Sequence, residues 1–128
     1  MLREWQGSKT TAFAQRIEEA GGDASAKLLY LLQLSNWIHI RLERAMRTWA
    51  MLDDRAASVV NEVDQSRLTY IKTLFLHLGF SEGEARTRAH LTYFSWLGEF
   101  TVKVHVDTDA WQHEAERIYA VLTLRPRK

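Results

Sequence analysis

The chain has 128 residues, 46% of them hydrophobic and 26% charged, with a net charge of +1. That is ordinary material for one globular domain, and the near-neutral balance gives the whole chain no electrostatic case for holding nucleic acid. With no cysteine, disulfides and thiolate chemistry are excluded.

Apolar periodicity predicts an all-α fold of about six helices, near 3–20, 24–36, 38–52, 54–78, 82–104 and 109–123, in a single domain over 1–128. The opening MLREWQGSKT has no apolar run after its basic residue and does not read as a secretory signal. Gly21-Gly22 and Gly79 stand where periodicity stops, as helix C-terminal caps do. Asp23, Asp53 and Ser81 stand where it restarts, and Ser81 with Glu84 has capping-box spacing. The single proline, Pro126, lies in the tail and interrupts no helix.

The 24–36 helix is apolar nearly all round and so belongs in the middle of the domain. Its apolar stretch, Leu28–Leu34, is far short of the ~20 residues a membrane span needs, so the expectation is a cytoplasmic chain without membrane contact. Along the 38–52 helix and just beyond, Arg41, Arg44, Arg47 and Arg55 make a basic stripe, most simply a solvated face. His39 and Glu43 lie one turn apart, but no third ligand at helical spacing joins them, so neither a metal nor another cofactor is expected.

The 54–78 helix carries the stripe Ala56, Val60, Val63, Arg67, Ile71, Leu74 and Leu78. Arg67 within it is costly to bury unpaired. It must meet a carboxylate such as Glu43, or line a wet cavity that receives an acidic or polar ligand. The aromatic set Trp37, Trp49, Tyr70, Tyr93, Phe94 and Trp96 comes from adjacent helices, as the linings of ligand pockets do and as plain cores also do. The candidate ligand-binding residues are Trp37, Trp49, Arg67, Tyr70 and Phe94.

Two apolar stripes mark the 82–104 helix. One is Ala85, Ala89, Tyr93, Trp96 and Phe100; the other is Leu91, Phe94, Leu97, Thr101 and Val104. A two-sided helix late in a short chain needs two neighbours, and one of them is expected to be a second copy. The last helix adds Trp111, Ile118 and Tyr119, and the mid-helix Gly98 suits close backbone approach. The expected dimer interface is therefore Ala89, Tyr93, Trp96, Gly98, Phe100, Trp111, Ile118 and Tyr119, half of an intermolecular four-helix bundle. The alternative is that both stripes fill one monomeric core. The alternating Phe100–Val106 segment is read as the frayed end of the fifth helix rather than a strand. No catalytic triad, phosphate loop or paired carboxylates stand out, so an enzyme is not expected.

The run from Arg44 to Glu99 carries a more specific pattern. Trp49-Ala50 leads through Asp53-Asp54 into a long helix with Val63-Asp64-x-x-Arg67-Leu68, which stops at Leu78-Gly79-Phe80. The next opens with Ser81-x-x-Glu84-Ala85 and carries Arg88-Ala89-x-Leu91-x-Tyr93. This order resembles the C-terminal ligand-binding and dimerisation domain of TetR-family transcriptional regulators. The resemblance implies a homodimer, an effector pocket for an unidentified small molecule, and DNA binding only through an N-terminal helix-turn-helix that this sequence does not contain. A stand-alone helical interaction module with no small-molecule ligand is the other reading.

Overall fold

The computed structural model describes residues 13–34, 40–102 and 108–125, with the side chains at 40, 41, 100–102 and 108 left aside. Among the described residues the chain is all-helical, with six helices and no strand. They are α1 (helical over 13–20), α2 (Ala24–Gln33), α3 (Ile40–Ala50), α4 (Asp54–His77), α5 (Glu82–Val102) and α6 (Thr108–Leu122). Phe100 to Val102 continue α5, so the alternating segment starts as helix. Residues 103–107 and the segment holding Trp37 and His39 lie outside the described residues.

Short polar side chains start the helices. Asp23 accepts from the Ala26 N–H at 2.9 Å and Asp53 from the Ala56 N–H at 3.0 Å, each relieving one orphan donor of a first turn. Ser81 Oγ accepts from the Glu84 N–H at 3.3 Å. The end of α4 is closed by Gly79 at φ +93°. There the Phe80 N–H reaches the Phe75 carbonyl at 3.2 Å and the Gly79 N–H the Leu76 carbonyl at 2.9 Å. The Phe75 and Phe80 rings meet edge-on at 5.9 Å. This is the Schellman arrangement with its accompanying apolar contact, and it aims the chain into α5.

Helix α4 lies at the centre, packed along α5 and flanked by α3 and α2; α6 packs mainly on α2 and touches α5. Leu28, Leu31, Leu32 and Leu34 are buried where α2 sits between α4 and α6. The main core joins these leucines to Phe13 and Ile17 of α1, Leu68, Ile71, Leu74 and Phe75 of α4, Tyr93 and Trp96 of α5, and Trp111 and Ala115 of α6. A separate small cluster of Met46, Val60 and Val63 fastens α3 to α4. Among the described residues no helix is long and apolar enough to cross a membrane.

Candidate functional site

Two features stand out: a buried polar hub between helices, and an apolar ridge on the outside. The hub centres on Arg67, only 1% exposed in the middle of the α4 stripe. Its Nη1 donates to Glu43 Oε1 at 2.7 Å and to the Tyr93 hydroxyl at 3.0 Å, and its Nη2 to Glu43 Oε2 at 3.3 Å. The Phe13 ring centroid lies 5.2 Å from Arg67 Cζ, within range of a cation–π attraction. Arg47, one turn after Glu43 on α3, makes a fork on Asp64 at 2.6 and 3.1 Å. It also reaches Glu43 at 3.1 Å and the Tyr93 hydroxyl at 3.2 Å. Tyr93 in turn donates to Asp64 Oδ1 at 2.5 Å.

Two guanidiniums, two carboxylates and one phenol thus form a charge-balanced cluster drawing on α3, α4 and α5, with α1 contributing the Phe13 face. Sequence spacing makes this possible: Glu43 and Arg47 are four apart on α3, Asp64 and Arg67 three apart on α4, so each pair shares a helix face. Burial disfavours charge on Arg67, but Tyr93 and Glu43 more than offset it and hold the guanidinium above its ordinary range. The same balance, with Asp64 the chief partner, holds Arg47 high. Burial pushes the Tyr93 phenol up, and Asp64 adds to this while Arg67 and Arg47 pull it down.

The ion pair between Arg67 and Glu43 is the one the sequence suggested. Arg47, by contrast, turns inward and is no part of a solvated basic stripe, while Arg44 and Arg55 are exposed. Of the other candidate ligand residues, Tyr70 donates to Glu18 Oε1 at 2.5 Å and meets Phe13 edge-on at 6.4 Å, one ring away from Arg67. Glu18 is held below its usual carboxylate range by Lys27 and then by Tyr70. Trp49 and Phe94 are exposed, so they line no interior space with Arg67 and Tyr70. Trp37 lies outside the described residues. Sequence reading missed Arg47 and Asp64 as hub members, although their spacing relative to Glu43 and Arg67 was a usable signal.

The residues expected at a dimer interface divide between the chain's own core and its outer surface. Ala89, Tyr93, Trp96 and Trp111 are buried in the chain's own core, and the Trp96 indole N–H donates to the Leu34 carbonyl at 3.0 Å. Ile118 and Tyr119 are half-buried against that core, with the Tyr119 hydroxyl hydrogen-bonded to Ser25 Oγ. These side chains are spent on the monomer's packing. The Phe100 side chain lies outside those described. What faces outward is part of the second stripe: Leu91 is 55% and Phe94 57% exposed on α5, while Leu97 packs against the core; Val121 on α6 and Leu124 just beyond it are both 64% exposed. An open groove of about 600 Å³ runs between Leu91 and Val121, past Thr87 and Leu122. Its floor is fixed by Arg88, which donates to the Leu122 carbonyl at 2.6 Å and stacks over Phe80 at 4.1 Å. Gly98, also expected at the interface, leaves room: a Cβ there would meet nothing among the described residues within 4 Å.

No family model matches this chain, and neither does any curated protein or solved structure.

Proposed function

We propose that this chain is the effector-sensing and subunit-pairing body of a TetR-like transcriptional regulator, acting on DNA through a helix-turn-helix domain outside this sequence. The observation that carries the reading is the outward stripe of α5. It leaves Leu91 and Phe94 more than half exposed, with Leu91 across a groove from the exposed Val121 of α6. These are the last two helices, the pair through which the resembled family dimerises. Leu91 and Val121 line one open groove, and exposed apolar side chains grouped in this way mark an interface rather than ordinary surface. Two-fold pairing would set the same patch against itself and build a four-helix bundle from two α5–α6 pairs.

The hub supports the sensing half of the reading. It ties α3 to the body through bonds rather than through a large apolar face, since the α3 cluster is small. A ligand that favours one placement of α3 would alter the geometry of the dimer only to the extent of its differential affinity for the two states.

Light scattering over a dilution series tests the pairing. A mass twice 14.9 kDa that persists on dilution is expected. A monomer at all concentrations overturns the dimer and favours an interaction module whose ridge takes a different protein.

A further inference from the structure

We propose that the buried Arg67 guanidinium is a receptor for a small carboxylic acid with an apolar body, which displaces Glu43 and engages the side-on edge that Glu43 leaves unspent. This deepens the effector-sensing half of the proposed function and rests on it. The argument is an accounting of donors. A guanidinium offers five N–H groups in a rigid fork geometry. One edge, through the two terminal nitrogens, meets a carboxylate end-on; another, through Nε and a terminal nitrogen, meets it side-on.

Glu43 occupies the end-on edge of Arg67, with Oε1 on Nη1 and Oε2 on Nη2. Tyr93 takes a further Nη1 donor. The side-on edge is unspent: Arg67 Nε is buried and has no hydrogen-bond partner. Arg47 repeats the pattern, end-on to Asp64 with a buried, unpartnered Nε. Native interiors seldom leave buried donors unspent, and Arg67 is the most deeply buried cation among the described residues.

The surroundings specify the rest of the ligand. Phe13 lies against the guanidinium and meets Tyr70 and Trp96 edge-on, so an aromatic wall stands beside the donors. That combination fits a carboxylate on an aromatic ring or a short alkyl chain. Charge decides the mode. The hub already balances two cations with two anions, so an added carboxylate is accommodated best by replacing Glu43. Glu43 is also the α3 residue that Arg67 holds. A bound carboxylate therefore removes one of the ionic ties between α3 and α4, leaving the Arg47 fork on Asp64 and the small cluster of Met46, Val60 and Val63.

The test titrates benzoate and octanoate, with benzamide as the neutral control at matched ionic strength, into the full chain. Tryptophan fluorescence and the arginine Nε–H NMR signals are followed. Saturable binding of a carboxylate, a shift of the Arg67 Nε–H signal and no response to benzamide are expected. In Glu43→Gln, which removes the competing charge and keeps the shape, affinity should rise about tenfold. Equal responses to benzamide and benzoate overturn the proposal, as does an unmoved Arg67 signal in the wild type at saturating millimolar carboxylate. The wild-type NMR arm decides the matter even if the variant does not fold. Light scattering on the same samples separates the two readings: a dimer without a carboxylate response sinks the receptor alone, and a monomer sinks the pairing.

Discussion

The Tyr93 hydroxyl donates to Asp64 at 2.5 Å while accepting from Arg67 at 3.0 Å and Arg47 at 3.2 Å. One hydroxyl thus links α5 to α4 and, through Arg47, to α3. Tyr93→Phe keeps the ring, stacked on Trp96 at 6.2 Å, but leaves two guanidinium donors and one carboxylate each short of a partner. The expected loss is about 1–3 kcal/mol of stability. Glu43→Ala should cost more, about 3–5 kcal/mol, because it strands the buried Arg67 charge. The double variant Glu43→Ala with Arg67→Met should recover part of that loss, since it removes the stranded charge as well. Urea unfolding midpoints measure all three. Equal, small losses throughout would show that the hub contributes nothing as a unit.

Alkaline pH tests the same cluster. Burial pushes the Tyr93 phenol up; burial and then Glu18 do the same for Tyr70. The unfolded phenol titrates near ~10, so above that pH the folded chain holds protons that the unfolded chain has lost. Stability from both groups is therefore complete below the unfolded value and declines as pH rises through it. Urea midpoints should fall above about pH 10. Tyrosinate absorbance should appear later in the native protein than in urea, and Tyr93→Phe should reduce the slope. A flat midpoint, or native and unfolded titrations that coincide, would contradict this account.

The positions where helices start and stop were legible because caps are local chemistry: Asp23, Asp53, Ser81 and Gly79 act within one turn of themselves. The α4 stripe was legible because its period matches the helix and one face meets the core. Arg67 with Glu43 could be read because a lone cation in such a stripe demands an acid. The facing of α5 could not. Both of its stripes are apolar, and periodicity says that two faces exist without saying which one the chain covers itself. Bulk would have helped: Tyr93 and Trp96 carry more apolar surface than Leu91 and Leu97, and each brings a polar tip that finds an internal partner. Convergence of the aromatic set was illegible for a related reason, since Trp49 and Phe94 lie on faces that only the packing of whole helices turns outward.

Gly22 and Gly79 should respond to alanine in a definite order. Both adopt the left-handed conformation, at φ +89° and +93°, which costs a side-chain-bearing residue roughly 1–2 kcal/mol. At Gly22 a Cβ would also stand 2.7 Å from the Ala26 Cβ, too close without movement of α2. At Gly79 the nearest atom would be the end of the Arg125 side chain at 3.4 Å, which is ordinary contact. Gly22→Ala should therefore destabilise more than Gly79→Ala in thermal melts. The reverse order would mean that the turn before α2 yields easily.

The ridge and Gly98 separate folding from pairing. Leu91→Asp with Phe94→Asp alters side chains that face outward, so it should abolish the dimer while leaving the helical signal intact. Trp96→Ala, by contrast, should cost about 3–5 kcal/mol by opening the core. Gly98→Ala carries the finer distinction. None of the described residues crowds that position, and alanine in a helix interior is favoured over glycine by about 1 kcal/mol. In a monomer, the substitution should therefore raise the melting temperature. If α5 crosses its mate at Gly98, the added methyl keeps the backbones apart, and dimer dissociation on dilution shifts to higher concentration. Melting on the Leu91→Asp, Phe94→Asp background, set against sedimentation on the native one, reads the two effects separately. A Gly98→Ala protein that is more stable and equally dimeric would move the crossing point away from this glycine, toward the groove between Leu91 and Val121.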